Sequence, residues 1–180
     1  MKLPKCESTI CLVVDIQERL IPVLSNSAEM MQKSVVLLQG LKALNVPLLI
    51  TEQYPKGLGN TIPEIKVAVE GAAVVEKTRF SAYLPETESV LQHYRAQTVV
   101  LIGVEAHICM LQTALDLRDN GYEVYVPFEC TTSRNLDNKA NALQQMRYAG
   151  VTVGNIESLL FALMADAKHD AFKTISKLIQ

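Results

Sequence analysis

Residues 98–126 read TVVLIGVEAHICMLQTALDLRDNGYEVYV, and their pattern decides the fold. Thr98 to Gly103 is an almost unbroken apolar, β-branched run, the signature of a strand buried on both faces. Residues 108–119 then take the spacing of an amphipathic helix, Gly121 stands where a left-handed residue would end it, and Tyr122 to Val126 is again strand-like. A strand, a crossover helix and a second strand form a βαβ unit, whose two strands run parallel.

The same alternation extends in both directions. Ile10 to Val14, Pro47 to Thr51 and Ala72 to Val75 precede this unit as buried-strand runs, and Val151 to Val153 follows it. Between the first two, residues 28–45 carry Met31, Val35, Leu38, Leu41 and Leu44 at spacings of three and four, the stripe of a helix lying on a sheet. Residues 86–95, 137–149 and 156–166 behave similarly, and Gly150 ends the second of these three. The expected fold class is therefore α/β: a three-layer, Rossmann-like domain over residues 1–180, with a six-stranded parallel sheet and helices on both faces. Gln53 to Gly71 has no clear period and holds Pro55, Gly57, Gly59 and Pro63, so it is expected to be a loop covering an active site. A closing stripe, Phe172, Ile175, Leu178 and Ile179, suits packing on the chain's own sheet or on a partner.

Composition narrows the function. A chain of 180 residues with 49% hydrophobic and 20% charged residues can build a core without a structural metal or disulfide. Its net charge of -2 and lack of any lysine–arginine run argue against nucleic acid as a partner. Asp15, Arg19 and Lys42 interrupt the apolar runs, so no membrane span is expected. The start, Met1 to Leu20, has Lys2 and Lys5 but no small-residue cleavage site after its short apolar run, and reads as mature chain. Four cysteines without a CxxC pair suit reduced thiols in the cytoplasm.

Ligands of an open parallel sheet bind beyond the carboxyl ends of its strands. Three reactive residues follow strands there: Asp15 in LVVDIQ, Lys77 in VVEKTRFSAY and Cys109 in VVLIGVEAHICM. Each also has an ordinary reading, the aspartate as a cap, the lysine as a solvated strand end and the cysteine as a small buried hydrophobe. Together they form a base, a cation and a nucleophile. Cys109 lies where a helix begins, so helix amides and a nearby lysine are expected to favour its thiolate below the ordinary thiol pKa of ~8.5. Cys6 and Cys11 are read as structural, Cys130 as pocket wall because Glu129 to Arg134 lies at a ligand-binding edge, and His107 as directed away from Cys109. The turn Asp15 to Leu20 has no glycine, and neither GxGxxG, GxxxxGK[ST] nor GxSxG occurs. His93, His107 and His169 lack ligand spacing, so neither metal nor cofactor is expected.

The order Asp15, Lys77, Cys109, with VVDIQERL, ITEQYPKGLGNTIPEI, EKTRFSAY, GVEAHICMLQTALDLRDNGYEVYV and TTSR, resembles the isochorismatase-like superfamily of cysteine hydrolases, which includes nicotinamidases. TEQYPKGLG and GVEAHIC are most similar to its isochorismatase domain-containing branch. The resemblance implies a hydrolase of a small amide or related C–N bond with Asp15, Lys77 and Cys109 as catalytic triad. It also implies a cis Val104–Glu105 peptide, backbone amides of Glu105 and Cys109 as oxyanion hole, no cofactor and a homo-oligomer. Gln17, Glu52, Gln53, Tyr54, Phe80 and Thr132 are expected to wall the substrate pocket. Two departures stand out: Glu52 to Pro55 carries no histidine where nicotinamidases place metal ligands, and Ala106 replaces the family's usual threonine. The alternative is a binding or assembly module without turnover.

Overall fold

In the computed structural model, which describes residues 3–180, seven strands form one sheet: β1 (Thr9–Val14), β2 (Leu48–Gln53), β3 (Ala73–Lys77), β4 (Thr98–Val104), β5 (Glu123–Pro127), β6 (Thr131–Thr132) and β7 (Thr152–Gly154). The order is β3-β2-β1-β4-β5-β7, with β6 beside β4, and every strand pairing is parallel. The reading of Met1 and Lys2 lies outside the described residues.

The helices are α1 (Ser27–Ala43), α2 (Pro55–Leu58), α3 (Pro63–Ala68), α4 (Pro85–His93), α5 (Leu111–Asp119), α6 (Leu136–Tyr148), α7 (Ile156–Met164) and α8 (Phe172–Leu178). The alternation along β1 and β4 divides the core in two. Cys11, Val13, Val100, Ile102 and Val104 face a cluster with Leu37, Leu38 and Leu41 of α1 and Leu159, Leu160 and Leu163 of α7. Ile10, Leu12, Val14, Val99 and Leu101 face Leu91 of α4, Ala114 and Leu117 of α5, and Leu143 and Met146 of α6. Each buried leucine or isoleucine contributes about 1.5–3 kcal/mol, so the two clusters fix which strand ends can meet. Ile175 of α8 is fully buried in the first cluster, which places the carboxyl-terminal stripe against its own chain.

Three expectations need correction. The sheet has seven strands, not six, because β5 stops at Pro127 and a turn at Phe128–Cys130 lets the chain step back beside β4, pairing Thr131 with Gly103 and Thr132 with Val104. Two residues are too few to leave a period in the sequence. Ala72 to Val75 is not buried on both faces: β3 is an edge strand that pairs only with β2, and Val74 is 48% exposed. Gln53 to Gly71 is not structureless, since it holds α2, α3 and an antiparallel bridge from Gln17 to Thr61, all shorter than a helical stripe needs to be visible.

Gly103 joins the central strands just below the candidate site. Its φ is +134°, and a Cβ there would collide with the carbonyl oxygen of Val14 on β1. Gly103→Ala is therefore expected to destabilise the fold by about 3 kcal/mol or more, read as a lower urea midpoint at unchanged slope. A midpoint within experimental error of the parent contradicts this packing.

Candidate active site

Strand order explains how three distant residues meet. Asp15 follows β1, with β2 and then β3 on one side and β4 on the other. With neighbouring strands about 4.8 Å apart, a group at the end of β3 must span two intervals to reach Asp15, a distance that suits the long lysine stem. Lys77 ends β3 opposite Gln53 and makes that reach, its Nζ donating to Asp15 Oδ2 at 2.6 Å with both side chains fully buried. The ammonium also donates to Gln53 Oε1 at 2.7 Å and to the carbonyls of Phe80 at 2.9 Å and Arg79 at 3.2 Å. Asp15 turns the chain with φ +55°, a left-handed conformation that aspartate tolerates better than most residues. Its Oδ1 accepts from Thr51 Oγ1 at 2.8 Å. Sequence reasoning missed Thr51, whose β-branched side chain looks like an ordinary strand residue.

From the other side of β1, the peptide Val104–Glu105 is cis and leads into a π-helical turn, Ala106–Met110, that runs on into α5. Ile108 N and Met110 N both donate to the carbonyl of Glu105, at 3.1 and 3.2 Å. Cys109 lies within this turn, close enough to Asp15 and Lys77 for both charges to act on its thiol. It is 7% exposed, whereas Cys11 and Cys130 are wholly enclosed. The structure thus brings Asp15, Lys77 and Cys109 together.

The electrostatics differ from the expected thiolate. Burial, reinforced by the negative charge of Asp15 and only partly opposed by Lys77, pushes the Cys109 thiol up to about 12. Asp15 is also raised above the ordinary carboxylate range by burial, with Lys77 as the main opposing influence. Desolvation outweighs the helix amides, so at neutral pH the resting site holds a thiol beside a strengthened base. Burial likewise raises the thiols of Cys11 and Cys130.

The expected pocket residues divide. Gln17 is buried, its Nε2 donating to the carbonyls of Gly59 and Gln53 and its Oε1 accepting from Gln53 N. Glu52 Oε1 accepts from Thr61 N and Oγ1, and Thr132 Oγ1 donates to Ser25 O. These bonds tie Gln17 and Glu52 to the segment that follows β2, and Thr132 to the loop before α1. Gln53 is half-buried and bonded to Lys77, while Tyr54 and Phe80 are 56% and 54% exposed. His107 Nδ1 sits 3.0 Å from Ser133 Oγ and 3.6 Å from Glu105 Oε2, directed away from Cys109 as expected. Glu105 Oε1 also accepts from Arg134 Nε at 2.7 Å, bracing the turn against the segment after β6. Among the described residues, no group of three histidine, cysteine, aspartate or glutamate side chains could hold a metal ion, and no helix is long and apolar enough to cross a membrane.

Comparison with known proteins adds the lineage. Residues 9–158 match the isochorismatase domain family. Isochorismatase domain-containing protein 1 of Salmo salar is 40% identical over 175 residues, which cover 96% of this chain and 61% of that relative's length. The structure of a MAR1 ribonuclease from Caenorhabditis elegans superposes with a TM-score of 0.94 at 34% identity, covering 98% of this chain and 91% of that one. The YcaC gene product of Escherichia coli, described as an octameric hydrolase of unknown specificity, superposes at 0.90 and 19% identity over 98% and 88% of the two chains, a likeness of fold alone.

The buried ion pair makes a stability prediction. Lys77→Met alone leaves Asp15 uncompensated and is expected to cost about 3–5 kcal/mol in urea denaturation, while adding Asp15→Asn recovers a large part of that loss. Additive losses in the double variant contradict the pairing.

Proposed function

This chain belongs to the isochorismatase domain family, and from that premise we propose that it is a cysteine hydrolase cleaving a small amide or related C–N bond. Family membership supports a hydrolase-type function. The observation that carries the finer reading is the Asp15 carboxylate placed between a buried ammonium and the thiol of Cys109.

In this reading Cys109 Sγ attacks the carbonyl carbon as its proton passes to Asp15, and the carbonyl electrons move onto oxygen. Oδ1 and Oδ2 are engaged by Thr51 and Lys77, but a carboxylate oxygen has two lone pairs, so capacity remains for the thiol proton. The backbone amides of Glu105 and Cys109 are assigned to the oxyanion. Collapse of the adduct expels the amine, which takes the proton from Asp15 and leaves a thioester on Cys109. Water then attacks with Asp15 as base, releasing the acid and returning the proton to sulfur. Lys77 keeps Asp15 ionised between these transfers, and Gln53, Tyr54 and Phe80 line the approach. No cofactor enters the sequence.

A small-molecule substrate, a cytoplasmic setting and a homo-oligomeric assembly belong to the same reading, the cytoplasmic setting supported by four free thiols. The name of the Caenorhabditis elegans structure favours a second reading, nuclease action, against which the net charge of -2 weighs. A panel of small primary and secondary amides, with a homopolymeric RNA alongside, separates these readings. We expect wild-type turnover of at least one amide and a loss of about three orders of magnitude in Cys109→Ala. RNA cleavage that persists in Cys109→Ala supports the nuclease, and silence across the panel supports a binding module.

A further inference from the structure

We propose that Thr113 is a positioning residue that holds the nucleophile's turn in register with the loop carrying the acceptors of Lys77. Thr113 is fully buried in the first turn of α5 and faces two elements at once. Its Oγ1 donates to the carbonyl of Cys109 at 2.6 Å and accepts from the backbone N of Ala82 at 2.8 Å. The first bond alone is ordinary, because threonines inside helices often bond the carbonyl four residues back. The second is not, since Ala82 lies 31 residues away in the chain, in the loop after β3.

That loop is the one on which Lys77 depends. The carbonyls of Arg79 and Phe80 accept from its ammonium, and Gln53 Nε2 donates to the carbonyl of Thr78. A circuit results, from Cys109 through Thr113 to Ala82, back along the loop to Lys77 and across to Asp15, whose charge acts on the thiol. One hydroxyl supplies both the donor and the acceptor that close it. Without that hydroxyl a buried N–H loses its partner and the turn is free to move relative to the ion pair. The distance that sets proton transfer between Cys109 and Asp15 is then no longer fixed.

This proposal rests on the reading of Asp15 as the base of Cys109, and its test separates the two. The readout is the pH midpoint of Cys109 alkylation by iodoacetamide, followed by peptide mass spectrometry, with and without Asp15→Asn. In the parent, Asp15→Asn lowers the midpoint by removing the negative charge beside the thiol. In a Thr113→Val background that lowering is expected to shrink by about twofold or more, whereas Thr113→Ser, which keeps the hydroxyl, restores it. If Thr113→Val does not fold, Thr113→Ala carries the same readout. An Asp15→Asn effect of equal size in parent and valine backgrounds overturns the proposal, even if the valine variant is less stable. An effect missing in the parent itself overturns the Asp15–Cys109 reading instead.

Discussion

The structure turns on one buried ion pair, Lys77 with Asp15, whose groups lie 2.6 Å apart and out of contact with water. Removing two such charges from solvent is costly, and the cost is offset only where geometry and further hydrogen bonds are good. Here they are. The ammonium has acceptors on Gln53, Arg79 and Phe80, and the carboxylate has a donor on Thr51. These partners come from β2 and from the loop after β3, so the pair forms only when the strand order and register are complete. Fold and site are specified by the same contacts.

Burial also decides the chemistry. A preformed thiolate would need the site to favour negative charge on sulfur, yet enclosure and Asp15 both oppose it. The same enclosure strengthens Asp15 as a proton acceptor. The arrangement suits a nucleophile that sheds its proton as it attacks, with Lys77 preventing the elevated carboxylate from becoming a permanently neutral acid. The other enclosed cysteines, Cys11 and Cys130, share the raised thiol, and neither feels the Lys77–Asp15 pair that acts on Cys109.

Much of this was legible in the amino-acid pattern. The continuous apolar runs of β1 and β4 are unambiguous because central parallel strands are buried on both faces, and they put Asp15 and Cys109 at one sheet edge. Lys77, found beyond a strand end in the same way, joined them, and the resemblance to a known family then implied a catalytic role for the three. What stayed hidden was short or directional. β6 has two residues and α2 has four, too few for any period to register. The π-helical turn around Cys109 looks like an ordinary helix start, and the expected thiolate followed from that view, which weighs helix amides but not enclosure. Gln17, Glu52 and Thr132 show the remaining gap: their place near the site is visible in the pattern, but their bonds to Gly59, Thr61 and Ser25 are not.

The most direct test of this account is the pH dependence of Cys109 alkylation, measured by site-resolved mass spectrometry in the parent and in Asp15→Asn. The account predicts that parent reactivity keeps climbing beyond ~8.5 toward about 12, and that Asp15→Asn moves the rise to lower pH because the opposing charge is gone. A parent profile that levels off below ~8.5, or one that Asp15→Asn leaves in place, would contradict a neutral thiol poised beside its base.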